Sequence, residues 1–177
     1  PVCNFGEKIK EFKLLSTEDT FISFKEIKGQ NGTLIAFICN HCPYVKAIIE
    51  ELVDVTNKLS KLGINSVAIM SNDTNNYPED SFENMKKFSK INNFKFPYLY
   101  DETQEIAKNY GAVCTPDFFG YNKNDELQYR GRIREMKNLK PTENANDLLN
   151  AMELIAKTSN GPKQQYPSMG CNIKWKK

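Results

Sequence analysis

Apolar residues change their spacing several times along the chain, and each change marks an element. Residues 12–15 and 21–24 read as short strands across the polar turn Ser16-Thr17-Glu18-Asp19, which predicts an N-terminal β-hairpin. After Asn31-Gly32, the unbroken apolar run 33–38 predicts a strand buried on both faces, as in a parallel sheet. From Pro43 the period becomes helical, with Val45, Ile48, Ile49, Leu52, Leu59 and Leu62 on one face and Gly63 as the stop. Residues 64–70 form the next buried strand, and two such strands around a helix make a parallel βαβ unit. The polar stretch 71–76 reads as a loop, followed by a helix that opens at Pro78-Glu79-Asp80 and turns Phe82, Met85 and Phe88 inward. A short strand at 98–100 precedes Asp101 and Gln104, which resemble a capping box for a helix closed by Gly111. Residues 117–121 and 126–130 predict an antiparallel hairpin, so the sheet is mixed. The last helix spans 144–157, and the only tryptophan, Trp175, is expected to anchor the tail by burial.

Length and composition add a frame. The chain of 177 residues fits one domain, 1–177, with 1–10 as an N-terminal extension and 161–177 as a docked C-terminal tail. The formal net charge is +2, with both signs interspersed and no block of Lys or Arg, so composition makes no case for nucleic acid or a membrane surface. No signal segment opens the chain and no apolar run approaches the roughly 20 residues of a membrane span, which makes the cytoplasm the default. Pro1 reads as the residue left after removal of an initiator Met.

Cysteine usage brings in the chemistry. Five cysteines are an odd number and only Cys39 and Cys42 are close, which is not the framework of a small secreted scaffold. Two thiols three positions apart at a helix start have Cβ atoms roughly 5–6 Å apart, close to the separation a disulfide needs. Unpaired N–H groups at the helix N-terminus favour a thiolate, making Cys39 the candidate nucleophile. The pair also lies at a strand's carboxyl end, where open α/β sheets place their ligands. The competing reading is a structural zinc site, with Cys39 and Cys42 joined by Cys114, Cys171 or His41. His41, the only histidine, is either a tuning group beside the thiolate or a surface residue. Cys3 reads as an incidental free thiol.

The order of elements and three motifs together resemble a known family. Cys39-Asn40-His41-Cys42-Pro43, Cys114-Thr115-Pro116-Asp117-Phe118-Phe119 and Ser168-Met169-Gly170-Cys171-Asn172-Ile173-Lys174-Trp175 resemble a peroxiredoxin-like subgroup of thioredoxin family proteins. The segment from about 71 to 111 looks like the branch with alkyl hydroperoxide reductases and thiol-specific antioxidants. The resemblance implies a thioredoxin-like α/β fold, with a mixed central sheet flanked by helices, an N-terminal hairpin and a peroxiredoxin-like insertion. It implies a thiol-disulfide oxidoreductase without cofactor or metal. An exposed Cys39, its pKa well below the free value of about 8.5, attacks a substrate disulfide and a shielded Cys42 resolves it. Thr115-Pro116 would be a cis-proline step facing the site, with the Thr115 backbone free to pair with an extended substrate. Cys114 and Cys171 are either a second redox pair relaying electrons to the first or buried thiols acting as small hydrophobes. Implied partners are disulfide or dithiol substrate proteins and a thiol reductant system. The alternative enzyme is a thiol peroxidase, although Ile35-Ala36-Phe37-Ile38 before Cys39 lacks the threonine of P-x-x-x-T-x-x-C. A zinc-holding structural module or an interaction domain is the reading from another class.

Overall fold

The computed structural model describes residues 3–177, so Pro1 lies outside it. β1 (Lys13–Ser16) and β2 (Phe21–Ser23) form the hairpin. Ser23 donates its N–H to Glu26 Oε1 at 3.0 Å and starts the one-turn helix α1 (Phe24–Ile27). β3 (Gly32–Phe37) is buried along its whole length. The single helix expected from Pro43 is broken in two. α2 (Pro43–Lys46) is one turn, and α3 (Ile49–Ser60) follows a break at Ile48, whose φ of −119° and ψ of 0° depart from ideal helical values. The β-branched pair Ile48-Ile49, stiff at χ1, sits at the break. β4 (Ile64–Met70) runs parallel to β3, with Phe37 opposite Ile69.

The helix expected at Pro78 also differs. Residues Pro78–Asp80 make a 3-10 turn that aims Asp80 inward, and α4 (Phe82–Ile91) opens only after Ser81, whose hydroxyl accepts from Asn84 N–H at 3.2 Å. β5 (Tyr98–Tyr100) pairs parallel with β4 and antiparallel with β1. Asp101 does cap the next helix, α5 (Glu105–Tyr110), by accepting from Ile106 N–H (3.2 Å) and Ala107 N–H (2.9 Å). Gln104 does not complete the box; its Nε2 donates to the carbonyls of Ser71 and Lys174, both at 2.8 Å. Gly111, at φ +72°, closes α5 in a conformation glycine adopts at little cost.

β6 (Cys114–Thr115) leads into β7 (Asp117–Asn122), which pairs antiparallel with both β3 and β8 (Leu127–Gly131). The main sheet therefore has seven strands in the order β2-β1-β5-β4-β3-β7-β8. A second hairpin, β9 (Arg134–Lys137) with β10 (Lys140–Asn146), was not legible because it is mostly solvated and carries no alternating apolar face. It displaces the start of the last helix, α6 (Asp147–Thr158), from 144 to Asp147, with Asn146 Oδ1 accepting from Leu149 N–H at 2.8 Å. The tail returns as β11 (Cys171–Asn172), paired with β6 outside the main sheet. Trp175 is not the buried anchor: it is 37% exposed, over Lys108, and Ile173, at 3%, is the residue driven inward.

Successive residues of β3 feed opposite cores, as the period of two requires. Leu34 and Ala36 face one layer with Leu52, Leu59, Leu148 and Met152. Ile35 and Phe37 face the other with Ile69, Ile106, Tyr110 and Phe119. This is the thioredoxin-like α/β arrangement, a mixed sheet covered by helices on both faces. Among the described residues no helix is long and apolar enough to cross a membrane.

Removing the carboxylate that starts α5 tests this account. Asp101→Ala leaves two buried N–H groups and the Ser71 hydroxyl without their acceptor. The expected loss is about 1–3 kcal/mol, read as a lower urea midpoint with an unchanged m-value.

Candidate active site

The last main-chain link of β3 to β4 is Ile38 N–H to Ile69 O at 3.0 Å, and beyond it Cys39-Asn40-His41-Cys42 leaves the sheet edge for α2. Cys42 is the residue that caps α2, and Pro43 stands at its first position, where a missing N–H costs nothing. Cys39 precedes the helix altogether. The two thiols are close enough that each is the largest influence on the other's ionisation. Thr115 touches both: its Oγ1 lies 3.5 Å from Cys39 Sγ, and its carbonyl lies 3.5 Å from Cys42 Sγ, accepting from it when that thiol is protonated. The Thr115–Pro116 bond is cis. Cys39, expected to be exposed, is not: it is 1% accessible and Cys42 0%.

Thiols this close titrate as a unit. The neighbouring sulfur raises Cys39 and lowers Cys42. Burial raises both, and the Asp80 carboxylate raises Cys39 further. The Thr115 hydroxyl lowers Cys39 in part, while Cys42 is lowered by the Cys171 thiol and main chain and by Val45 N–H. The first negative charge therefore settles on Cys42, well below an ordinary thiol. The activated Cys39 thiolate expected from the helix dipole is corrected on two grounds: Cys39 stands outside a helix of a single turn, and it faces a buried carboxylate.

Asp80 organises the other side of the pair and is wholly buried. Its Oδ1 accepts from Asn40 N–H at 2.8 Å and its Oδ2 from Asn72 Nδ2 at 2.9 Å. His41 Nδ1 lies 2.6 Å from Oδ2, off the line a hydrogen bond needs. The His41 ring stacks on Tyr77 with an interplanar angle of 8°. It is oriented rather than a free surface residue. Asn40 Oδ1 accepts from the buried Tyr98 hydroxyl at 2.8 Å. Sequence reasoning took Asp80 for a first-turn helix acid and passed over Asn40, Asn72 and Tyr98. The available signal was position: the loop after β4 emerges beside the loop after β3, at the carboxyl edge where the pair sits. Cys39, His41 and Asp80 place one donor atom each within 4.8 Å of one another, the one such trio among the described residues.

The tail occupies the edge expected to be open to substrate. In the β6–β11 ribbon, Cys171 is opposite Thr115 and Asn172 opposite Cys114. Gly170 passes so close that a Cβ there would lie 1.9 Å from Thr115 O, and Ser168 Oγ donates to Pro116 O. Beyond the ribbon, Ile173 N–H donates to Val113 O (2.9 Å), Asp73 N–H to Lys174 O (2.8 Å) and Lys174 N–H to Asn72 Oδ1 (2.9 Å). Opposed residues share a face and successive ones alternate. Cys171 thus shares the face of Thr115 towards the pair, and Cys114 takes the other. Cys114 and Cys171 are not a pair with each other. Nor is Cys114 placed to complete a zinc site with Cys39 and Cys42. It lines a cavity of about 440 Å3 with Cys3, Asp117 and Arg130. Its thiol is pushed up to about 12 by burial and by Asp117. A separate cavity of about 270 Å3 lies beside Pro116, between Tyr44, Ile48, Met136, Leu139 and Met169.

Comparison with known proteins gives a family match. Residues 5–135 match the model of the AhpC/TSA family. No curated protein sequence matches significantly. A conserved protein of Geobacillus kaustophilus, described as uncharacterized, is 39% identical, with a TM-score of 0.93 over 98% of this chain and 93% of that one. A hypothetical protein of Sinorhizobium meliloti 1021 is 34% identical, with a TM-score of 0.92 over 99% and 97%. Peroxidoxin BcpB of Mycobacterium tuberculosis, at 14% identity and a TM-score of 0.60 over 86% and 92%, shares the fold.

Titration of the reduced protein checks the charge assignment. One thiolate, followed by ultraviolet absorbance, should form well below the free-cysteine range. Cys42→Ser should remove it, whereas Cys39→Ala, which leaves no donor at that position, should keep it at a higher pH. A native pKa below the unfolded one means the unfolded chain holds more protons between the two values. Reduced protein should therefore gain stability over Cys42→Ser as pH rises through that window.

Proposed function

The chain belongs to the AhpC/TSA family, and from that premise we propose that it is a thiol-disulfide oxidoreductase whose working pair is Cys39 and Cys42. The observation that carries this reading is the contact of two neighbouring free thiols with one residue, Thr115, at a cis-proline step. The chemistry follows from where the charge rests. Cys39 Sγ attacks a substrate disulfide as its proton passes to the neighbouring Cys42. The departing substrate thiolate takes that proton from Cys42. Cys42, a thiolate again, attacks Cys39 Sγ, forms the Cys39–Cys42 disulfide and releases the second substrate sulfur. Two electrons pass to the substrate and no other group is consumed.

His41 and Asp80 act on Cys39 by position. The carboxylate keeps Cys39 protonated until attack, which separates the roles of two sulfurs that are equally buried. Substrates are disulfides of proteins or small molecules, and a dithiol partner restores the reduced pair. Access requires the buried site to open, and the tail strand is the segment lying against Thr115.

Paired assays test the reading. Insulin-type disulfide reduction should be lost in Cys39→Ser. In Cys42→Ser it should stall at a mixed disulfide that traps partner proteins. Fast peroxide consumption with a thiol reductant, surviving in Cys42→Ser, would instead favour a peroxidase with Cys39 as the oxidised sulfur.

A further inference from the structure

Cys171 is a nucleophile for which neither the reaction above nor the expected pairing with Cys114 has a use. It is the cross-strand partner of Thr115, the residue whose hydroxyl and carbonyl meet Cys39 and Cys42. It packs against the apolar cluster that contains both active-site cysteines. Gly170, with no room for a Cβ beside Thr115 O, lets the tail come this near, and the Ser168 contact to Pro116 O holds it there.

We propose that Cys171 is a third redox thiol, which exchanges with the Cys39–Cys42 disulfide to give a Cys42–Cys171 disulfide and a free Cys39. This rests on the reading of Cys39 and Cys42 as the working pair. The step is an internal exchange: Cys171 sulfur attacks Cys42 Sγ, the Cys39–Cys42 bond breaks, and the proton lost by Cys171 ends on Cys39. No outside oxidant or reductant enters, because one disulfide is exchanged for another. In the reduced protein the Cys171 thiol is pushed up to about 11, by burial first and then by donating to Cys42. Once Cys42 is in a disulfide, that charge is gone and nearby Lys174 favours ionisation of Cys171. The product ties the tail covalently across Thr115. Oxidised protein is then divided between an open form, with Cys39 and Cys42 joined, and a closed form that holds the substrate edge shut while leaving Cys39 reduced.

The test maps disulfides by mass after mild oxidation with diamide and alkylation of free thiols. In Cys39→Ser protein a peptide joining Cys42 to Cys171 should dominate, and adding Cys114→Ser should leave its yield unchanged. In the unaltered protein both Cys39–Cys42 and Cys42–Cys171 peptides should appear, with Cys171→Ser removing only the second. If Cys39→Ser leaves Cys171 fully alkylated and the unaltered protein shows only Cys39–Cys42, the third thiol is refuted and the oxidoreductase reading stands. If the unaltered protein yields no Cys39–Cys42 peptide at all, the underlying reading fails and this one with it. Should Cys39→Ser fold poorly, the unaltered protein and Cys171→Ser decide the question alone.

Discussion

Two sulfur atoms withdrawn from water can carry one negative charge between them far more easily than two. At a few ångströms, in a medium much less polarisable than water, repulsion between adjacent thiolates has little to screen it. One retained proton turns that repulsion into a hydrogen bond. Everything around Cys39 and Cys42 determines which sulfur holds the proton. Asp80 crowds the first with negative charge, offset in part by the Thr115 hydroxyl, while Val45 N–H of α2 and the thiol and main chain of Cys171 in the tail favour charge on the second. The two sulfurs are distinguished by surroundings, since depth does not distinguish them.

Thr115 joins these surroundings to the rest of the chain. Its hydroxyl faces one sulfur and its carbonyl the other, and its main chain is opposite Cys171. The residue it precedes, Pro116, leads into β7 beside β3. The strand end that delivers the cysteines and the strand start that delivers Thr115 are therefore neighbours in one ladder. Phe37 opposite Asp117 is the last pair before the two chains diverge around the site. That register holds the sulfurs and Thr115 together without any ligand.

Much of this was legible in the sequence, for identifiable reasons. β3 and β4 are continuous apolar runs that fit only a strand buried on both faces, and the cysteine pair is local, so its spacing survives folding. What escaped depended on distance along the chain. Asp80 looks like any acid after a proline until the loop that carries it is brought against the end of β3. Cys171 and Cys114 resembled partners because both lie in recognisable motifs, yet a register of one residue turns them to opposite faces. Trp175 was expected inside for its size, but the smaller Ile173, two positions earlier, takes the buried place.

The tail strand has a further consequence, because β11 joins only β6 and lies outside the seven-stranded sheet. Its release withdraws Ile173 from one core and breaks the bonds at one margin but leaves the main sheet paired, a sub-global opening rather than unfolding. The reactivity of the sulfurs beneath is then gated: the observed rate towards any outside molecule is the intrinsic rate multiplied by the fraction of time the strand is away. A stable scaffold and a site that answers to small changes in tail affinity can in this way coexist in one chain.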